Sequence, residues 1–259
     1  MGTFLFDGIV FGPVKSRRLG VSLGINLLPD QKKICTFNCI YCECGWTITP
    51  ETESRFFPNR KEVYEALSSR LSKMKMNGEI PDAITFAGNG EPTLHPDFPG
   101  IIDDTISLRN KSCPEAKIAV LSNASTLNKP EVRNALLKVD MNILKLDSAF
   151  DNTIKILNQP RIKITSSEII KNLADFNGHV IVQTMFVRGI YNGRIIDNTM
   201  PEEITEWLKA IAMIKPEEVM IYTIARDTAA GGLHKVPAED LHRIARQVEE
   251  IGIKTRVSE

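Results

Sequence analysis

The stretch Lys33-Ile34-Cys35-Thr36-Phe37-Asn38-Cys39-Ile40-Tyr41-Cys42-Glu43-Cys44 holds four of the five cysteines of a 259-residue chain. Cys35, Cys39 and Cys42 are spaced C-x3-C-x2-C. Three thiolates this close, on a loop after an apolar run, suit an iron–sulfur cubane in which each sulfur binds a different iron. Zinc also gathers cysteines, but it usually takes two pairs of ligands, and the nearest histidine is His95. A closed electron-carrying cluster takes four cysteines. Both stand as non-enzymatic alternatives: a metal-binding protein or an electron-transfer protein.

Outward from this loop, apolar runs alternate with amphipathic ones nearly to the end of the chain. Residues 21–28, 83–87, 117–121, 142–147, 180–187 and 218–224 are nearly continuous in apolar character, as expected of parallel strands covered on both faces. Helices with readable ends lie between them. Asn59 caps a helix carrying Val63, Leu67, Leu71 and Met74 on one face. Ser166 or Ser167 opens another, Thr199-Met200-Pro201-Glu202 has the spacing of a capping box, and Pro237 opens a last long helix. About six β/α repeats result, so the fold class is α/β with a parallel sheet. Residues 4–14 are expected to form an extra strand or hairpin, and residues 237–257 a terminal helix and edge strand. With no low-complexity linker, residues 1–259 read as a single domain.

Cys-x3-Cys-x-aromatic-Cys, with Tyr41 at the aromatic position, resembles the signature of the radical S-adenosylmethionine superfamily. The resemblance implies a partial (β/α)6 TIM-like barrel, with its core at about residues 21–224. It implies that Cys35, Cys39 and Cys42 bind three irons of a 4Fe-4S cluster, and that the fourth iron takes the amino and carboxylate groups of S-adenosylmethionine. Reductive cleavage of that cofactor then gives a 5′-deoxyadenosyl radical, which abstracts hydrogen from a substrate. Cys44 is expected not to be a ligand, because a fourth thiolate would occupy the cofactor's iron.

Other segments extend the resemblance. Gly88-Asn89-Gly90-Glu91 resembles the superfamily's glycine–glycine–glutamate motif at the cofactor's amino group, with Asn89 as a departure. Glycines let a backbone approach closely, and a carboxylate accepts a charge-assisted hydrogen bond from an ammonium. Ser122-Asn123 resembles the pair found near the ribose or carboxylate. Lys145 and Asp147 share one face of a strand. Buried opposite charges need a partner or a ligand, and the resemblance assigns both residues to the cofactor; an internal pair is the alternative. Tyr41 joins the same cofactor-binding set.

The segment Gly12-Pro13-Val14-Lys15-Ser16-Arg17-Arg18-Leu19-Gly20 resembles a broad group related to tRNA wybutosine-synthesis enzymes. That grouping does not fix the substrate, and an RNA nucleoside and a glycyl-radical protein partner are both candidates. Arg17 and Arg18 suit a phosphate or an acidic partner near the barrel floor. Gln183, Thr184, Tyr222 and Arg226, near later strand ends, are weaker candidates for substrate contact.

Lys+Arg and Asp+Glu each number 32, which argues against a protein that coats nucleic acid. No apolar run approaches the roughly 20 residues needed to span a bilayer, and no signal peptide is legible. A cytoplasmic enzyme is expected, with flavodoxin or ferredoxin as electron donor and no membrane partner.

Overall fold

The computed structural model describes residues 4–16, 18–47 and 57–259; Arg17 lies outside them. The strands are β1 (Val10–Ser16), β2 (Gly20–Ile25), β3 (Ala83–Phe86), β4 (Lys117–Ser122), β5 (Met141–Lys145), β6 (Ile181–Tyr191), β7 (Arg194–Asp197), β8 (Glu218–Thr223), β9 (Leu233–Lys235) and β10 (Lys254–Ser258). The helices are α1 (Arg60–Met76), α2 (Phe98–Ser112), α3 (Pro130–Leu136), α4 (Asp151–Leu157), α5 (Ser166–Ala174), α6 (Pro201–Ile214) and α7 (Ala238–Glu250).

The main sheet runs β1-β2-β3-β4-β5-β6-β8-β10. It is parallel from β2 to β10. β1 lies antiparallel to β2 and completes the expected N-terminal hairpin, while β7 and β9 flank the long end of β6. Helices return the chain between parallel strands. This is the partial (β/α) barrel, and β10 is the expected edge strand.

Alternation sorts the strand residues onto two faces. Leu23, Ile25, Ile84 and Phe86 join Val63, Leu67 and Phe98 in the large core between sheet and helices. On the opposite, concave face, Ala119, Ile143, Ile181 and Met220 form a separate apolar floor. Two residues further along the same strands this lumen turns polar, at Lys145, Gln183 and Tyr222. Lys145 lies opposite Gln183, and Tyr222 opposite Met185.

The helix ends follow local chemistry. Asn59 and Glu62 form a reciprocal capping box at α1, as expected. At α5 the box is made by Thr165 and Glu168, one residue before the expected serine. The box expected at Thr199 does not form. Pro201 begins α6, so the N-cap falls on Met200, which has no side-chain acceptor. The Thr199 hydroxyl instead donates to Asp197 Oδ1 at 2.5 Å and accepts from Arg188 Nε at 2.9 Å. No helix among the described residues is long and apolar enough to cross a membrane.

Trp207 fastens α6 to the sheet. It is 1% exposed, its indole meets Phe186 edge-on, and its Nε1 donates to the Leu146 carbonyl at 3.3 Å and to Thr184 Oγ1 at 3.2 Å. Trp207→Ala is expected to lower stability by about 3–5 kcal/mol in urea unfolding. A loss under about 1 kcal/mol would show that α6 is held by other contacts.

Candidate active site at the cysteine loop

The cysteine loop leaves the C-terminal end of β2 and is clamped by backbone on both sides. On one side, Ile34 N donates to Asn89 O at 2.9 Å and Glu91 N donates to Ile34 O at 3.0 Å, so Ile34 pairs with Gly90. On the other, Asn38 N donates to Asn158 O, Ile40 N to Leu157 O and Arg161 N to Thr36 O, all at 2.8–2.9 Å. Ala230 N donates to Ile40 O at 2.8 Å.

Gly90 makes the first clamp possible. Its φ is +137°, and a Cβ there would sit 1.9 Å from the Ile34 carbonyl oxygen. Gly88, at φ +123°, is similarly crowded by Asn26 Oδ1. Gly90 thus makes its close backbone approach to this chain's own loop, and Gly88 makes its own to the Asn26 side chain. Asn89, the departure from the familiar motif, ties down the N-terminal segment. Its side chain accepts from Phe6 N at 2.8 Å and donates to Phe6 O and Pro29 O at 3.0 and 2.9 Å.

Glu91 is buried and joins two strand ends. Its Oε1 accepts from Thr93 N at 3.1 Å and from Thr93 Oγ1 at 2.5 Å, and its Oε2 accepts from Asn123 N at 2.7 Å. Burial raises the pKa of this carboxyl, opposed by those hydrogen bonds and by the Ser122 hydroxyl. Each carboxylate oxygen can accept two bonds, and Thr93, Asn123 and Ser122 together supply four donors, so an ammonium at Glu91 would displace one of them. Asn123 in turn donates from Nδ2 to Thr36 Oγ1 at 2.8 Å and toward Cys35 Sγ at 3.4 Å.

A second network forms around Tyr41 and the end of β5. The Tyr41 hydroxyl donates to Asp147 Oδ2. Asn158 Nδ2 donates to the same oxygen at 2.6 Å and toward Cys39 Sγ at 3.5 Å, while Met185 N donates to Asp147 Oδ1 at 2.9 Å. The Lys145 ammonium lies 3.6 Å from Asp147 Oδ2, 5.1 Å from the Tyr41 ring centre, and bonds the Tyr222 hydroxyl at 3.2 Å. Burial alone would lower the Lys145 pKa, but Asp147, Tyr222 and Cys39 outweigh it and raise it. The alternative of an internal Lys145–Asp147 ion pair is what forms here, beside the cysteine loop.

The thiols are free, and the donor set fits a cluster. Phe37 N and Asn123 Nδ2 point at Cys35 Sγ, and Asn158 Nδ2 at Cys39 Sγ. Such donors favour the thiolate. Lys33, given no role in the sequence, supplies a buried ammonium to the same loop and donates to Gly45 O at 2.8 Å. Burial lowers the Lys33 pKa, but the charges of Cys42, Cys35 and Cys39 more than reverse this. Burial pushes the Cys35 thiol up to about 12 and raises Cys39 as well. Cys42 moves the other way, to about 5, because Cys44 hydrogen-bonds to it and Lys33 lies close, against the effect of burial. The Cys44 thiol is correspondingly raised, and its sulfur also lies 3.3 Å from Gly88 O. No group of three or more His, Cys, Asp or Glu among the described residues converges on a single ion position.

The expected residues thus gather into two adjoining groups. Cys35, Glu91, Ser122 and Asn123 meet on one side of the loop, and Cys39, Tyr41, Lys145 and Asp147 on the other. Arg226 stands apart and pairs with Glu43 at the surface. The sequence reading missed Lys33 and Asn158. Lys33 carries a signal, a cation two residues before the first cysteine; Asn158 carries none.

A profile of the radical SAM superfamily matches residues 32–208, most of the chain and both groups. The chain belongs to the radical SAM superfamily. Membership implies S-adenosylmethionine and an iron–sulfur cluster. Among relatives, the chain is 31% identical over 245 residues to a protein of Brachyspira hyodysenteriae named GTPase Obg, covering 93% of this chain and 33% of that one. It is 34% identical over 186 residues to a UPF0026 protein of Methanocaldococcus jannaschii, covering 70% of this chain and 55% of the relative. The chain therefore spans a third to about half of these relatives. A radical SAM methyltransferase from Sphaerobacter thermophilus shares the fold, with a TM-score of 0.67 at 13% identity, over 92% of this chain and 65% of that one.

Gly90→Ala forces a Cβ against the Ile34 carbonyl at a positive φ. The expected cost is about 1–3 kcal/mol from backbone strain alone, measured by urea unfolding. The matched Gly193→Ala, at φ +73° but facing open space, is the comparison. Equal losses in the two variants would show that the contact with Ile34 does not matter.

Proposed function

We propose that this chain is a radical S-adenosylmethionine enzyme whose cluster is held by Cys35, Cys39 and Cys42. The reading rests on one observation: three free thiols on a doubly clamped loop, with amide donors aimed at Cys35 and Cys39 and the Lys33 ammonium beside Cys42. The cluster, when bound and reduced, supplies the electron that splits S-adenosylmethionine into methionine and a 5′-deoxyadenosyl radical.

The chain's own residues orient and insulate. Glu91 and the carbonyls of the Gly88–Glu91 segment receive the cofactor's ammonium, the preference of a buried carboxylate for a charged donor. Ser122 and Asn123 line the ribose or carboxylate side, and Asn123 also braces Cys35. Tyr41, Lys145 and Asp147 form the wall on the Cys39 side. The apolar floor of the lumen excludes water, which protects reactive intermediates. Hydrogen abstraction then takes place on a substrate in the lumen. A flavodoxin or ferredoxin delivers the electron, residues 1–259 act as one catalytic domain, and the cytoplasm supplies the reducing setting that free thiols require.

Anaerobically reconstituted protein, given a strong reductant, should form 5′-deoxyadenosine from S-adenosylmethionine. Cys35→Ala, Cys39→Ala and Cys42→Ala should each abolish it, whereas Cys44→Ala should retain its iron. Normal turnover in any of the first three would remove that cysteine from the ligand set. Loss of one iron in the fourth would add Cys44 to it.

Glu91→Gln keeps the shape but removes the charge. Cofactor affinity measured by equilibrium dialysis should weaken by roughly 1.5–3 kcal/mol, the range for hydrogen bonds to charged groups. Unchanged affinity would confine Glu91 to its bridge between Thr93 and Asn123.

A further inference from the structure

Arg18 lies in the turn before β2, at the end of the barrel away from the cysteine loop, yet its side chain reaches into the lumen. Its Nη1 donates to Gln183 Oε1 at 3.2 Å, and its guanidinium carbon stands 4.8 Å from the centre of the Tyr222 ring. Gln183 is 5% exposed and Arg18 is half-buried, so this contact is partly shielded from solvent. The turn itself is fixed from outside. Arg256 Nη1 donates to Arg18 O at 2.5 Å, and Arg256 is held by Glu218 at 2.7 Å.

The charges around Tyr222 do not balance. Lys145 lies 5.8 Å from the same ring centre as Arg18. The carboxylate paired with Lys145 is Asp147, whose oxygens already accept from Tyr41, Asn158 and Met185 N. Arg18 has no carboxylate within ion-pair distance among the described residues, and only one of its N–H groups is engaged. Two cations therefore face one carboxylate. Tyr222 and Gln183 supply Arg18 with no counter-charge. Gln183 holds one arm of the guanidinium in place, which leaves its remaining donors pre-oriented.

We infer that Arg18, held by Gln183 and Tyr222, binds an anionic group of the substrate, a carboxylate or a phosphate. A guanidinium fork matches the paired oxygens of either group. The site lies one register step from Lys145, which adjoins Tyr41 and the cysteine loop. A substrate anchored there would be held by its charged end, with its remainder pointing toward that loop. This inference rests on the radical enzyme reading for the word substrate, but the anion site itself is testable without turnover.

The test is calorimetric titration of the cluster-loaded protein with inorganic phosphate and, separately, with malonate. Wild type should bind at least one of them saturably. Arg18→Gln should bind it about tenfold more weakly or worse, and Arg18→Lys should fall between, since it keeps charge but loses the fork. Tighter phosphate binding identifies a phosphate-bearing substrate, and tighter malonate binding a carboxylate. Arg60→Gln, on the exposed outer face of α1, controls for general loss of positive charge and should bind as wild type does. If Arg18→Gln does not fold, Arg18→Lys carries the comparison. Absence of saturable binding, equal binding by wild type and the Arg18 variants, or an equal loss in Arg60→Gln would each overturn the site. Failure of the wild type to form 5′-deoxyadenosine would sink the enzyme reading and leave the titration result standing.

Discussion

The contact between Gly90 and Ile34 sets the terms for everything around it. Backbone meets backbone where no side chain fits, and the two flanking residues on each strand follow. Cys35 is the next residue after Ile34, and Glu91 the next after Gly90. One pairing thereby fixes a thiol and a carboxylate relative to each other. Glu91 passes the constraint to β4 through Asn123, and Asn123 returns it to the loop at Thr36 and Cys35. Such closure locks side-chain positions by second contacts, which a reactive site needs if its geometry is to hold within fractions of an ångström.

The Tyr41–Asp147–Lys145 network has a different character. Buried ion pairs seldom add stability over an apolar replacement of equal volume, because desolvation offsets attraction. Here the Asp147 oxygens are bonded to Tyr41, Asn158 and Met185, and the Lys145 ammonium is bonded to Tyr222. Bonds converging on one buried carboxylate rigidify the groups that make them. It also keeps a cation close to Cys39 that an apolar core could not provide, and this matters where several thiolates must coexist at short range.

Much of this was legible in the sequence, for identifiable reasons. Parallel strands buried on both faces leave long apolar runs, so β3, β4, β6 and β8 could be found from composition alone. The α1 box at Asn59 and Glu62 is local chemistry and was readable. The α6 cap was misread because its expected acceptor lies one residue too early, and a proline start needs no acceptor there. The cysteine spacing marked the loop and the Gly88–Glu91 pattern marked its neighbour. That Gly90 serves the loop's own backbone was not legible, because the contact pairs residues 34 and 90 across two elements. Asn158 was harder still. It is an ordinary amide in sequence, and its meaning comes only from what the fold sets beside it.

The second clamp on the cysteine loop has a consequence for the order in which the protein is made. Residues 36–40 are held by residues 157–161, and Asn158 reaches Cys39 across 119 positions of chain. Contacts between distant segments form only after the entropy of closing the intervening loop has been met. A nascent chain exposes its three cysteines early, while the segment that shapes their loop is still unsynthesised. During that interval the thiols are bare, flexible and able to take up stray metal. A loop shaped to hold three thiols in fixed relation therefore takes that shape only once residues 157–161 have been made.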